Sequence, residues 1–475
     1  MSGYLFMTRF IWSFQAIHIL YIYQEEVKVM TTKKPFSYQP ENDVHRITLY
    51  NTVYPEHQHR GKKERLYLHF DFACFYAQVE QLRNRMYGLP LIIGGWRKEN
   101  GQVKGIVATS SYEARSFGIK TGMSAFEAYN LCPYVCMLQV DYDTYKAIST
   151  QVHYVFQQFS DTVERYSMDE YFMDISFLVG KPESKIRAFA QRIQDKIFEA
   201  TNLYGSIGVA RSKTYAKLSS SLDKPKGITS IITGEDERAF IYPLDVDEVW
   251  GVGGRRYEHI LAEGFRTIGD VVDRGTDKTF MRLFGANFGK MLYQTITGQD
   301  QARVLDENDN YVPKWGVSYG HTFSEGSCDV ERIKGEFAIA VEHVCYRLRA
   351  YGIKANSFTG MFGFNNTDQP GVGFKFGIDG YTNIDKVVFE SCMSRILPAI
   401  EGACRAKMEI RNIIIGTKEI DKTDQLNLFF SEEARELERF KAIDQINNRY
   451  GKGTLTKAHT LLRVQGNTHF LERSV

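Results

Sequence analysis

Long apolar runs are missing from this 475-residue chain. The best candidate, residues 10–23, is interrupted by Gln15 and His18. It is too short and mixed to cross a hydrocarbon core of about 30 Å. It has no cationic start beyond Arg9 and no clear small-residue cleavage site, which argues against a secretory leader. Cysteine is scarce as well: there are 7, without a Cys-x-x-Cys pair, and Cys132 and Cys136 are the closest two. That usage excludes a disulfide framework and a cysteine zinc site, and it fits reduced thiols in a cytoplasmic protein. A charge field of one sign is also lacking, because the formal net charge is only +2. Any polyanion must therefore be gripped by local patches. What remains, 43% hydrophobic and 24% charged residues with only 11 Pro, is the composition of a globular chain too long for one core.

Against this background the run Ser167-Met168-Asp169-Glu170 stands out. It lies between apolar, strand-forming stretches, where two adjacent carboxylates point to opposite faces. A buried acidic pair repels itself and costs several kcal/mol unless a cation neutralises it. A third carboxylate, Asp71, ends the apolar run 66–70, which reads as a buried strand. If the two strands pair, three carboxylates converge, and hard oxygen ligands in that number suit Mg²⁺. An isolated Asp-Glu pair would more simply be a solvated turn.

The first 64 residues read as an extension, with residues 31–63 polar and interrupted by Pro35, Pro40 and Pro55. The expectation is that the folded part begins near Arg65 and that Met30 is the true start. From there short strands alternate with amphipathic helices. Strands are expected at 66–70, 89–93, 105–109 and 206–210, and helices at 75–85, 112–117, 125–131, 145–159, 185–204 and 213–222. Two further strands should flank the acidic pair. This mixture points to an α+β sheet rather than an alternating parallel wind.

Near Asp245 the character changes. Trp250-Gly251-Val252-Gly253-Gly254 precedes a helical stretch at 257–263, which reads as two short helices joined by a glycine-rich hairpin. Small residues at a helix start let backbone N–H groups approach an anion; an ordinary inter-helix turn explains the glycines equally well. A polar segment, 306–313, reads as a linker. A separate βαββαβ unit is expected beyond it, with strands at 317–324, 357–364, 373–377 and 409–415 and helices at 330–350 and 383–400. In the polar tail that follows, Gln425-Leu426-Asn427-Leu428-Phe429 is an apolar cluster suited to docking in a groove or to packing on its own domain.

Several of these segments resemble, in order, the motifs of Y-family DNA polymerases. Asp71-Phe72-Ala73-Cys74-Phe75-Tyr76-Ala77-Gln78-Val79-Glu80 resembles the first, Ala108 to Gly118 the second, and Tyr166 to Ser176 the third. Residues 206–210, Lys213 to Lys217 and Lys224-Pro225-Lys226-Gly227 continue the match, so the resemblance runs from about residue 65 to 415. The hairpin and the tail are similar to the UmuC branch rather than to DinB.

This resemblance implies a multidomain α+β right hand. Its palm would be 65–82 and 141–235, with fingers at 83–140 and a helix-hairpin-helix thumb at 236–302. A linker at 303–315, a βαββαβ little finger at 316–418 and a tail at 419–475 would follow. It implies an error-prone translesion polymerase working by two-metal-ion phosphoryl transfer. Asp71, Asp169 and Glu170, with the Phe72 carbonyl, would hold two Mg²⁺ ions, with Mn²⁺ able to substitute. Thr109, Tyr112, Arg115 and Lys217 would contact the triphosphate, the first three spaced as on one helix face. Tyr76 would be the steric gate against ribonucleotides. Ile106 and Ala108 would roof the nascent base pair, the bulk of Ile106 implying moderate lesion tolerance. Gly251, Gly253 and Gly254 would hold a DNA phosphate, and Gln425, Leu426, Leu428 and Phe429 would bind a sliding clamp. Primer-template DNA, deoxynucleoside triphosphates and a UmuD-like accessory subunit are the other implied partners. The little finger has about as many acidic as basic residues, fewer positive charges than a DNA-gripping domain would carry. A non-catalytic lesion-binding adaptor and a palm-fold nucleotide cyclase are the alternatives.

Overall fold

The computed structural model describes residues 64–300, 302–305, 316–365, 368–421, 431–451 and 454–455. The extension, most of the linker and the cluster Gln425, Leu426, Leu428 and Phe429 lie outside the described residues, apart from Glu64 and a few linker positions. The chain divides into two units, Met1–Asp309 and Asn310–Val475.

The first unit is organised by a five-stranded sheet of order β10-β9-β1-β8-β7. Its strands are β1 (Tyr67–Phe72), β7 (Val163–Arg165), β8 (Glu170–Asp174), β9 (Gly205–Ala210) and β10 (Ile228–Ile231). All neighbours are antiparallel except β9 and β10. The alternation of β1 sends Leu68, Phe70 and Phe72 into a core shared with helices α1 (Phe75–Asn84), α4 (Tyr142–Gln157) and α5 (Glu183–Thr201). Helix α6 (Lys213–Leu222) covers the opposite face, with Ala216 and Leu218 in a second cluster. Burial on both faces is why these strands read as nearly continuous apolar runs. The helix-on-sheet approach is closest at Gly208, where a Cβ would lie 2.0 Å from the Ala216 carbonyl oxygen and 2.3 Å from the Ser220 nitrogen.

Residues 85–140 form two small sheets and include helix α3 (Ala125–Leu131). One has the order β5-β2-β6, from β2 (Leu91–Ile93), β5 (Thr109–Ser110) and β6 (Cys136–Leu138). The other pairs β3 (Trp96–Arg97) with β4 (Val103–Lys104). The single strand expected at 105–109 is broken instead. Gly105 adopts φ +105, a conformation other residues rarely take, and a Cβ there would lie 2.5 Å from the Gly95 α-carbon. Beyond the main sheet come helices α7 (Arg255–Ala262), α8 (Ile268–Arg274), α9 (Asp277–Phe284) and α10 (Ala286–Ile296). Ile260, Phe265, Ile268, Val271, Phe280 and Leu292 join the cluster under α6.

The second unit has the expected βαββαβ order. It runs β11 (Ser318–Ser327), α11 (Val330–Ala350), β12 (Lys354–Phe364), β13 (Val372–Thr382), α12 (Asp385–Arg405) and β14 (Ile410–Asp421). The sheet order is β11-β14-β12-β13, wholly antiparallel. A last helix, α13 (Ser431–Tyr450), is held by Arg349 of α11. The Arg349 guanidinium donates to Asp444 at 2.7 Å and to Asp385 at 2.6 Å, and lies over the Phe440 ring. Among the described residues no helix is long and apolar enough to cross a membrane.

Candidate active site

The site is built on the two inner strands. β1 and β8 pair so that Asp71 stands opposite Glu170. Asp169 sits in the turn just before β8, where its carbonyl accepts the Phe72 N–H at 3.1 Å and its carboxylate accepts the Ser167 hydroxyl. The strand pairing inferred from the apolar runs is therefore present, and it sets Asp71 opposite Glu170 with Asp169 in the adjoining turn.

Their electrostatics follow from burial. The Asp71 and Glu170 side chains are only 13% and 17% exposed. Burial pushes both carboxyls above their ordinary range, and the neighbouring acids add to this, while a lysine opposes the rise in each case. Lys224 donates to Asp71 at 2.6 Å, and Lys217 pairs with Glu170 while lying over the Tyr166 ring. Beneath them His69, two residues before Asp71 on the same strand face, is fully buried. Ser220 Oγ donates to the Lys217 carbonyl at 2.7 Å, so its contact with His69 Nδ1 at 2.8 Å makes the imidazole the donor. Burial and three nearby lysines hold this imidazole well below its usual pKa, in the neutral form.

Of the proposed triphosphate contacts, Tyr112 and Arg115 begin and end the short helix α2 (Tyr112–Arg115), capped by the Ser111 side chain. Thr109 is not on that helix, contrary to the three-residue spacing. It lies buried in β5, because the Ser111 cap starts the helix only at Tyr112. Arg115 donates to the Ser110 carbonyl at 3.1 Å and sits over the Tyr112 ring, and burial pushes the Tyr112 hydroxyl pKa up. Burial pushes the Cys74 thiol up, and the Arg115 and Lys224 charges oppose that rise.

Tyr76, on α1, is half-buried, with its hydroxyl directed at the Met168 sulfur 3.9 Å away. Ile106 is 57% exposed and bridges Ser124, while Ala108 donates its N–H to the Ile93 carbonyl at 2.8 Å. In the hairpin, Gly251 and Gly254 have φ of +90 and +51, and a Cβ at Gly251, Gly253 or Gly254 would meet no atom within 4 Å. The three glycines are thus uncovered, and Arg256 donates to the Gly251 carbonyl at 2.8 Å.

Lys224 has no role assigned from the sequence. It lies just beyond the end of α6, so no helical spacing from Lys217 signals it.

The impB/mucB/samB family model matches residues 70–221, the segment that contains all three carboxylates and Lys217. A DNA polymerase IV from Bacillus velezensis is 30% identical over 414 residues, covering 86% of this chain and 95% of that protein. One from Clostridioides difficile is 34% identical over 295 residues, covering 61% and 76%. A solved Y-family DNA polymerase chimera of Dbh and Dpo4 has a TM-score of 0.62 at 20% identity, over 75% of this chain and 100% of that one, which shows a common multidomain α+β fold. The chain belongs to the Y-family DNA polymerases. It is an enzyme, a DNA-directed DNA polymerase. These relatives carry the name DNA polymerase IV and lend no support to placement in the UmuC branch.

Enzymes of this family use divalent metal ions. The donor set here fits such ions, since it consists of oxygen donors, is largely buried and repels itself. The expected three-way convergence is nevertheless partial. Among the described residues no three His, Cys, Asp or Glu side chains cluster closely enough to share one ion, and lysines hold two of the acids.

Proposed function

We propose that the chain extends a primer opposite damaged template in an error-prone manner, with Asp71, Asp169 and Glu170 as the catalytic acids. The observation that carries this reading is the register of Asp71 against Glu170 on the two inner strands, with Asp169 in the adjoining turn. Asp71, Asp169, Glu170 and the Phe72 carbonyl would hold two Mg²⁺ ions. When bound, these ions supply charge neutralisation at the triphosphate and a more acidic primer 3′-hydroxyl.

The chain's own groups do the rest. Lys217 and Lys224 balance the acids while the site is being formed. Thr109, Tyr112, Arg115 and Lys217 orient the triphosphate, Arg115 being stiffened by its backbone bond and its seat over the Tyr112 ring. The Tyr76 ring meets the incoming sugar, and Ile106 with Ala108 faces the nascent pair. The bulk of Ile106, which is exposed, implies moderate rather than broad lesion tolerance.

In this reading the five-stranded sheet with its helices is the palm, the two small sheets are the fingers and α7 to α10 form the thumb. The βαββαβ unit is the little finger. Gly251, Gly253 and Gly254 lie along DNA phosphate, and Gln425, Leu426, Leu428 and Phe429 engage a sliding clamp in the cytoplasm. The UmuC-like hairpin and tail leave a UmuD-like subunit as a candidate partner.

Primer extension with Mg²⁺ tests the assignment. Wild type should extend and Asp169→Ala should lose activity by about a thousandfold or more. Equal activity in the variant would remove the metal assignment, and an inert wild type would favour an adaptor or a cyclase.

A further inference from the structure

The Tyr76 ring is held on a second tyrosine from another helix. Tyr145, on α4, is fully buried and stacks on Tyr76 with ring centroids 4.3 Å apart and planes 13° apart. Its hydroxyl donates to Glu80 Oε1 at 3.0 Å. Glu80 lies four residues after Tyr76 on α1, so it stands one turn along the same helix face. Tyr145 therefore lies across the α1 surface with its ring over Tyr76 and its polar tip on Glu80.

Glu80 is itself fixed. It is buried, and it accepts from Asn84 at 2.8 Å and from Arg83 at 3.1 Å. Arg83 in turn reaches Asp141, whose side chain caps α4 itself. Tyr142 meets the Tyr76 ring edge-on at 6.1 Å. The half-buried gate ring is thus backed by a face, an edge and a buried hydrogen-bonded carboxylate.

We propose that Tyr145 is the backstop of the gate, a positioning residue that fixes the height of the Tyr76 ring against the sugar and so sets how strictly a 2′-hydroxyl is refused. The inference rests on reading Tyr76 as the steric gate. A gate ring that could recede by a fraction of an ångström would admit the extra hydroxyl, and the stacked Tyr145 ring leaves it nowhere to recede.

The test is single-nucleotide incorporation by the full chain, read as the ratio of kcat/KM for a deoxynucleotide to that for the matching ribonucleotide. Tyr145→Leu should lower this ratio about tenfold or more, chiefly by raising ribonucleotide use, and Tyr145→Phe about threefold. In a Tyr76→Ala background Tyr145→Leu should change the ratio no further. A merely structural role would lower both substrates together and leave the ratio fixed, which would overturn the proposal. If Tyr76→Ala relaxes sugar choice and the Tyr145 variants do not, the backstop fails while the gate stands. If Tyr76→Ala changes nothing, the gate reading itself fails. Should Tyr145→Leu not fold, Tyr145→Phe decides alone, an unchanged ratio refuting the role.

Discussion

Replacing Gly208 with alanine should damage stability and activity together. The added methyl would sit 2.0 Å from the Ala216 carbonyl oxygen, 2.3 Å from the Ser220 nitrogen and 2.9 Å from the Ser219 carbonyl carbon. All three are backbone atoms of α6, so no side chain can swing aside. To regain an ordinary contact the helix must back away by about 1 Å. That shift would loosen the Lys217–Glu170 pair, because Lys217 lies on α6, and would draw back Lys224 just beyond the helix end. Overpacking of this kind costs about 1–3 kcal/mol. In a unit of this size that lowers Tm by about 2–12 °C. A misplacement of about 1 Å at the reacting groups can cost about a hundredfold in rate. Scanning calorimetry and steady-state primer extension measure the two effects. The matched control is Gly335→Ala in α11, where nothing lies within 4 Å of the new methyl and helix propensity should add about 0.5–1 kcal/mol. If Gly208→Ala melts like wild type and keeps its kcat/KM, the close approach of α6 does not set the position of the lysines.

Other consequences can be checked independently. Arg349→Met should destabilise the second unit by about 3–5 kcal/mol in urea unfolding, because Asp385 and Asp444, 6% and 18% exposed, lose their shared cation. Asp270 is held below the usual carboxylate range by the Thr267 and Arg266 N–H groups and by Arg274. Its contribution is complete above the unfolded pKa of about 3.9 and fades as pH falls through the folded value. Asp270→Asn should therefore cost about 1 kcal/mol at neutral pH, with the gap to wild type closing in strong acid. Tyr76→Ala should raise ribonucleotide incorporation sharply while keeping deoxynucleotide activity, as measured on an undamaged template. Ile106→Ala should improve bypass of a bulky adduct relative to an undamaged base, and an unchanged ratio would remove Ile106 from the roof.

How much was legible in the sequence depended on how local the cause was. The β1 run and helix α1 were read almost to the residue, since apolar alternation and helical spacing are properties of the segment itself. The order of the βαββαβ unit was readable from its long periodic helices, but β13 and β14 run at least five residues past the expected 373–377 and 409–415. The acids were found because a charged pair between buried strands demands a reason. Segment 105–109 was misread because the positive φ of Gly105 answers to Gly95 across the sheet, a contact no local pattern encodes. Thr109 was put on a helix because a three-residue spacing fits a helix whether or not the helix has begun. Lys224 gave no local sign of its partner, as Asp71 is 153 residues away in sequence.

The unequal size of the sheets has a consequence for how the molecule opens. Each acid-bearing strand has a neighbour on both sides and is covered above and below, whereas the strands carrying Trp96, Lys104 and Thr109 are two residues long. Local opening draws on the least supported backbone first. In hydrogen–deuterium exchange, amides of β1 and β8 should be among the last in the first unit to exchange, while those around 96–110 should exchange far earlier. Asp71 and Glu170 thereby lie on backbone expected to open late, and Thr109 on backbone expected to open early.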